Sequence, residues 1–123
     1  MKYLFDTNIC IYAMNNRSQR LIQKIQSCQI SDIGISSITL SELEYGIAKS
    51  EHKIKNKTKL IEFLNPIEIY PYDNLPTQLY GEIRANLEKK GQVIGPLDML
   101  IAAHCLSLKL TLITNNEKEF NRI

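Results

Sequence analysis

Short strand-like runs alternate with helix-like stretches along almost the whole chain, and this alternation constrains the fold more than any other feature. Four runs rich in β-branched and aromatic residues are the predicted strands: Lys2–Phe5, Ile33–Ser36, Ile67–Tyr70 and Thr111–Thr114. Strands separated by helices are typical of parallel α/β sheets. The 123 residues match the size of one domain, and we expect a single domain over residues 1–123.

Apolar residues at helical spacing predict helices between these strands. The predicted helices span residues 8–14, 19–28, 39–50, 51–64, 75–90 and 96–108, and a short helix ends the chain. The two segments 39–50 and 51–64 are expected to follow one another as continuous helix. Gly91 is predicted to end one helix and Pro96 to open the next, which are favoured positions for these residue types.

Composition excludes several classes of protein. The net charge of +2 is compatible with a polyanionic partner but does not argue for one. Cys10, Cys28 and Cys105 form no CxxC pair, so we expect free thiols in a reducing cytoplasm and neither a disulfide framework nor a zinc site. The first residues do not resemble a signal peptide, and no apolar run approaches the roughly 20 residues of a membrane span.

Three acidic residues lie where predicted strands give way to helices, and each has two explanations. Asp6 follows the first strand, where α/β proteins bind ligands, but Asp is also a preferred helix cap. Thr39 and Glu42 match a T-x-x-E capping box, which is the favoured reading of Glu42 alone. Asp98 opens the most apolar helix, where a carboxylate must be paired, capped or bound to a cation.

Taken together, the three acids predict a metal site. Crossover helices of a parallel sheet bring such junctions to one edge, where clustered carboxylates repel one another unless a cation neutralises them. Ligands that offer only oxygen suit Mg²⁺ or Mn²⁺ and not zinc. Such an ion can activate water for phosphodiester hydrolysis.

Segments along nearly the whole chain resemble, in the right order, the PIN-domain nucleases and in particular the VapC-type toxins of bacterial toxin–antitoxin systems. They are Leu4–Asn8, Ile35–Leu43 with Tyr45 and Gly46, Ile83–Ala85 with Gly91, Ile94–His104, and Leu112–Asn116 with Glu119 and Phe120. The resemblance implies a PIN-like three-layer α/β/α fold with a central parallel sheet.

The resemblance also implies an activity and a set of site residues. The chain would be a Mg²⁺-dependent endoribonuclease, with Mn²⁺ as a substitute, that cuts structured RNA and stops translation. The expected substrate is a tRNA anticodon stem-loop, best matched by initiator tRNA. Asp6, Glu42 and Asp98 would be the catalytic metal ligands. Supporting positions are expected at Thr7, Asn8, Thr114 and Asn115.

Many PIN domains carry a fourth acid where this chain has Asn116. Asn116 can coordinate through its oxygen but adds no charge, whereas Glu119 can supply a carboxylate. A solvated surface position explains Glu119 equally well. Both residues therefore remain alternatives for the fourth position.

Partners are implied by the same resemblance. We expect a homodimer that a VapB-type antitoxin neutralises, in a heteromeric complex whose antitoxin component binds operator DNA. Two other classes fit the residues less well. A haloacid-dehalogenase-type phosphatase needs a D-x-D start, but Asn8 replaces the second Asp, and a receiver-like module would need an early acidic pair and a late Lys.

Residues outside the acidic set have ordinary explanations. The lysines between Lys49 and Lys59 are predicted to form a solvated helix face, with a phosphate-binding patch as the alternative. Arg84 is expected either to contact RNA or a carboxylate, or to pair with Glu88 one turn away. His104 is predicted to be structural, because it lies on a different helix face from Asp98.

Overall fold

A computed structural model describes residues 2–15, 23, 27 and 29–123. Apart from residues 23 and 27, the helix predicted over 19–28 lies outside the described residues, and so does Cys28. The other predicted strands and helices are all present. The strands are β1 (Tyr3–Phe5), β2 (Ile33–Ser36), β3 (Glu68–Tyr70) and β4 (Thr111–Ile113). The helices are α1 (Thr7–Met14), α2 (Ser37–Ala48), α3 (Lys53–Leu64), α4 (Thr77–Lys90), α5 (Pro96–Ser107) and α6 (Glu117–Phe120), and a 3-10 turn (Ile30–Asp32) precedes β2.

The described strands form one parallel sheet in the order β3-β2-β1-β4. Strand β1 lies between β2 and β4, with Tyr3 opposite Ile33 on one side and Thr111 on the other. All four strands therefore end at the same edge of the sheet. The residues that follow β1, β2 and β4 are brought together there.

Helices cover both faces of the sheet. Successive residues of a strand point to opposite faces, and Phe5 and Leu4 accordingly belong to different apolar clusters. Phe5 packs with residues of α1, α2 and α3, and Leu4 packs with Ile101 and Cys105 of α5. A further cluster joins α4 to α5. The three-layer α/β/α architecture with a central parallel sheet is confirmed.

The predicted start of α2 is wrong. The Ser36 hydroxyl accepts a hydrogen bond from the Ile38 amide at 3.0 Å, so the helix begins at Ser37 and not at Thr39. Thr39 is fully buried inside the first turn, and Glu42 lies too far along the helix to reach its first amides. The capping box proposed for Thr39 and Glu42 therefore does not form, because a serine at the end of the strand caps the helix first.

The prediction of continuous helix through residues 39–64 is also wrong. Helix α2 ends at Ala48, and α3 begins at Lys53. Ser50 turns its hydroxyl back to the Ile47 carbonyl at 2.8 Å, which occupies an acceptor at the end of α2. The predicted end of α4 and the predicted start of α5 are confirmed. Gly91 follows α4 in the left-handed conformation (φ +66°), and Pro96 is the first residue of α5.

Two of the three cysteines lie among the described residues. Cys10 and Cys105 are buried free thiols, as expected. Burial raises the pKa of the Cys105 thiol to about 11, so the group stays protonated and unreactive near neutral pH. None of the helices in the described part of the chain is long and apolar enough to cross a membrane.

Candidate active site

Asp6 immediately follows β1 and is held on both of its carboxylate oxygens. Oδ1 accepts the Ile9 amide at 2.9 Å, so Asp6 caps α1, and Oδ2 accepts the Thr114 hydroxyl at 2.5 Å. Only 4% of the residue is exposed. Burial raises the pKa of this carboxyl, and the hydrogen bonds from Thr114 and from the backbone of Ile9 and Asn8 offset part of that effect. Asp6 is therefore both a helix cap and a rigidly placed carboxylate.

Glu42 reaches the same edge from α2. Its Oε1 accepts the Thr7 hydroxyl at 2.6 Å, across 35 positions of sequence. Thr7 is the first residue of α1 and the neighbour of Asp6. This bond brings Glu42 to the residue next to Asp6, in place of the capping role that its sequence pattern indicated.

Asp98 lies in the first turn of α5 and is partly buried. Among the described residues it has no side-chain hydrogen bond that would compensate for this burial. The pKa of its carboxyl is raised to about 6, first by burial and then by the negative charges of Glu42, Glu119 and Asp6. Each of the three other carboxylates is therefore close enough to Asp98 to act on it electrostatically.

The two residues predicted as alternatives for the fourth position, Asn116 and Glu119, contact each other after β4. The Asn116 backbone amide donates to Thr114 Oγ1 at 2.8 Å, and its side-chain amide donates to Glu119 Oε2 at 2.9 Å. Asn116 thus orients Glu119. The negative charge of Glu119, which Asn116 does not share, contributes to the raised pKa of Asp98. Asn115 is exposed, and none of its side-chain contacts within the described residues involves the acids.

The arrangement has one limit as a metal centre. No group of three or more His, Cys, Asp or Glu side chains among the described residues is disposed as a ligand set for a metal ion. Both oxygens of Asp6 and one oxygen each of Glu42 and Glu119 already accept hydrogen bonds within the chain. This geometry offers a cation fewer than three direct carboxylate ligands.

Arg84 and Lys57 each form an ion pair on the surface. Arg84 pairs with Glu88 at 3.2 Å and also donates to the Tyr80 hydroxyl. Lys57 pairs with Glu44 at 2.6 Å on an exposed face. Arg84 therefore forms the ion pair with Glu88, one turn away, that its sequence spacing indicated.

The sequence patterns did not predict the hydrogen bonds that hydroxyl groups make at this edge of the sheet. Ser36 caps α2 and also lies 2.8 Å from Nδ1 of the buried His104. A serine at the end of an apolar strand is a recognisable cap, but its histidine partner is 68 residues away. No local pattern connects the two residues.

A family model and individual relatives of known sequence all point to the same protein family. The PIN domain model matches residues 3–123. Ribonuclease VapC2 of Rickettsia felis is 45% identical over 124 residues, which cover 100% of this chain and 92% of that protein. A tRNA(fMet)-specific endonuclease VapC of Shigella flexneri is 37% identical over 123 residues, with the same shares covered.

A solved structure agrees with these relatives. The crystal structure of VapBC2 from Rickettsia felis, bound to a DNA fragment from its promoter, contains a chain with a TM-score of 0.92 to this one. The two chains are 44% identical, and the match covers 100% of this chain and 93% of that one. Both the sequence and the sheet with its flanking helices are thus shared over the full length. The chain belongs to the PIN-domain family and, within it, to the VapC-type toxin ribonucleases.

Proposed function

We propose that this protein is a divalent-metal-dependent endoribonuclease toxin that hydrolyses a phosphodiester bond of a structured RNA at the edge formed by Asp6, Glu42, Asp98 and Glu119. The observation that carries the proposal is the Asp98 carboxyl, whose pKa is raised to about 6 partly by three other acids. Helix capping does not require mutually repelling carboxylates at one place, whereas cation binding does.

The donor set fits Mg²⁺, with Mn²⁺ as a substitute, because its charged groups are all carboxylates. Mg²⁺ commonly binds one or two protein carboxylates and keeps several waters, which agrees with the lack of a three-ligand set among the described residues. We propose Asp6 and Asp98 as direct ligands. Glu42 and Glu119 would act through bound water.

The residues of this chain have distinct tasks in the proposed reaction. Asp6 is fixed by Thr114 and the α1 amides, so it orients the reacting groups without reorganisation. Glu42 is bonded to Thr7 through Oε1, and we assign Oε2 as the acceptor of the proton from the attacking water. The water oxygen then bonds to phosphorus as the bond from phosphorus to the 3′-oxygen breaks. The 3′-oxygen takes a proton from solvent water, so the products carry a 5′-phosphate and a 3′-hydroxyl. The bound ion would neutralise the carboxylates and stabilise charge on the leaving oxygen.

The proposed substrate is a tRNA anticodon stem-loop, and initiator tRNA is the first one to test. Support comes from the 37% identity over the whole chain to a protein named a tRNA(fMet)-specific endonuclease. Cleavage of that RNA would inhibit translation.

The proposed partner is a VapB-type antitoxin that neutralises the enzyme, in a cytoplasmic complex that binds operator DNA through the antitoxin. Support comes from the 44% identity to a chain of a VapBC complex crystallised with promoter DNA. We further propose that residues 1–123 act as one domain and that the protein forms a homodimer.

Incubating the purified protein with total tRNA and Mg²⁺ tests the activity. We expect discrete cuts in one or a few tRNAs, which EDTA abolishes and added Mg²⁺ restores. Asp98→Asn and Glu42→Gln should each lower the cleavage rate by about 100-fold or more, since each removes a charged group from the reacting centre. Glu62→Gln is the matched control, because Glu62 is an exposed acid on α3.

Cleavage that survives both substitutions, or that continues unchanged in EDTA, would contradict the proposed site. Release of inorganic phosphate without RNA fragments would point instead to a phosphatase. Equal cutting of all tRNAs would retain the nuclease and remove the proposed preference for initiator tRNA.

A further inference from the structure

We propose that His104 is a positioning residue: through Ser36 it fixes helix α2, which carries Glu42, against helix α5, which carries Asp98. The proposal rests on the proposed function, because it concerns how two of the acids are held at their separation. His104 contacts none of the four acids in the hydrogen bonds described above. It acts through the start of α2.

The hydrogen bonds around His104 define its tautomer. Nδ1 lies 2.8 Å from Ser36 Oγ, and the ring also bonds the backbone of Pro71. Proline has no N–H, so this second bond must run from a ring N–H to the Pro71 carbonyl, and Nε2 is the nitrogen left to donate it. Burial lowers the pKa of the ring by more than the Asp73 charge and the Pro71 bond raise it, so near neutral pH His104 is neutral and has a single N–H. Nδ1 is therefore the acceptor, and the Ser36 hydroxyl is its donor.

This assignment leaves Ser36 with one hydroxyl that performs two functions. It donates to His104 on α5 and accepts from the Ile38 amide at the start of α2. Ser36 is fully buried, and His104 is 1% exposed, so water cannot replace a lost partner without entering the core. The rotamer that caps α2 is thus selected by the histidine of α5.

The segment after β3 strengthens the same junction. The Tyr72 amide donates to the Ser37 hydroxyl at 2.9 Å, and the Tyr72 ring meets the His104 ring edge-on at 5.3 Å. His104 thus contacts the end of β2 and the chain after β3 while it belongs to α5. Its place in the helix is six residues beyond Asp98, and Ser36 is six residues before Glu42. A shift at this junction changes the separation of the two acids.

Two substitutions separate positioning from simple filling of the core. His104→Phe keeps a ring of similar size and loses the acceptor for Ser36. His104→Asn loses the ring but can present its amide oxygen where Nδ1 stood. If His104 positions α2, kcat should fall at least about tenfold in His104→Phe with an unchanged KM for RNA, and His104→Asn should recover most of it. The rates are measured at a temperature where every variant is fully folded.

Ile101→Val is the matched control, because Ile101 is fully buried on α5 between Asp98 and His104 and packs against Leu4. We expect it to lower Tm without changing kcat. Ser36→Ala should reproduce the loss seen in His104→Phe. The double variant should lose no more than the more impaired single variant, because both changes break one link.

A second measurement does not depend on cleavage. Mg²⁺ should raise the Tm of the wild-type protein, and His104→Phe should need a higher Mg²⁺ concentration for half of that rise. If the wild-type protein cuts no RNA, the proposed function fails while this measurement still tests the positioning. Wild-type kcat and Mg²⁺ dependence in His104→Phe, or losses that multiply in the double variant, would overturn the role of His104.

Discussion

At the scale of single residues, a carboxylate can have a structural and a chemical purpose at once. Asp6 caps α1 through Oδ1 and accepts the Thr114 hydroxyl through Oδ2, so the two interpretations of its sequence position are not alternatives. Glu42 is the opposite case, since its capping pattern is present in the sequence and absent from the structure. A four-residue pattern shows only that these residues are able to cap a helix. It does not show that the helix already begins at Ser37, with Ser36 as its cap.

Asp98 gives a prediction about pH. Its folded pKa of about 6 lies above the ordinary value of 3.8, so the folded state binds this proton more tightly than the unfolded chain does. The group therefore contributes stability that is fully present below pH 3.8 and is lost as the pH rises through 6. Without Mg²⁺ at pH 7, Asp98→Asn should raise the free energy of unfolding by about 1–3 kcal/mol.

Thermal melting between pH 4 and pH 8 measures this effect. The advantage of Asp98→Asn over wild type should shrink towards pH 4, where the native carboxyl is also neutral. The exposed control Glu62→Gln should follow the wild-type curve throughout. A variant that melts below wild type at pH 7 would mean that the charge of Asp98 favours the start of α5 more than it repels the other acids.

At the scale of elements, the sequence predicted the kinds of segment well and their exact ends less well. Apolar spacing identified most of the longer helices, because burial imposes that period, and runs of β-prone residues identified the strands. The break between α2 and α3 was missed, since Lys49–His52 contains neither Gly nor Pro and the apolar spacing continues beyond it. Ser50 lies in the break, and its hydroxyl donates to the Ile47 carbonyl, a bond that apolar spacing does not predict.

Strand β2 is packed so closely against β3 that one of its positions accepts no side chain. A Cβ on Gly34 would lie 2.4 Å from Cε2 of Tyr70 and 3.1 Å from the Glu68 carbonyl oxygen. Gly34→Ala should therefore cost about 1–3 kcal/mol of unfolding free energy in chemical denaturation, because the Tyr70 ring or the strand must move.

Gly81→Ala is the matched control, since a Cβ on this exposed glycine of α4 would meet nothing within 4 Å. It should stabilise the protein by about 0.5–1 kcal/mol, because alanine restricts the unfolded chain and favours helix. A Gly34→Ala variant as stable as wild type would show that Tyr70 has room to turn away.

At the scale of the whole molecule, alternation of strands and helices predicted a parallel α/β sheet, and the family resemblance implied its three layers. The alternation did not predict which strands are neighbours. The order β3-β2-β1-β4 sets the last strand beside the first, and no local pattern contains that information. The acids at strand-to-helix junctions were still predicted to meet, because all strands of a parallel sheet end at one edge. The bond from the Thr114 hydroxyl to Asp6 depends on β4 lying beside β1, so the sequence alone did not predict it.

Mg²⁺ binding should be visible as a pH-dependent change in the stability of the whole protein. An ion that binds only the folded state raises Tm, and near pH 5 it must displace the proton that Asp98 holds below its pKa of about 6. We therefore expect saturating Mg²⁺ to raise Tm more at pH 7.5 than at pH 5. Asp98→Asn should lose most of this rise, and an equal rise at both pH values would argue against an ion at the acidic edge.

The bond between Thr114 and Asp6 has a consequence for how the protein is made. It joins positions 108 residues apart, near the two ends of the chain. At ordinary rates of synthesis, Asp6 is made roughly 5–20 s before Thr114 exists. A nascent chain, or one released early by a stalled ribosome, lacks β4, the Thr114 hydroxyl and Glu119 together. If the proposed activity is correct, a copy of this toxin cannot work until translation has passed Glu119, and a product that terminates before Thr114 lacks the bond that holds Asp6.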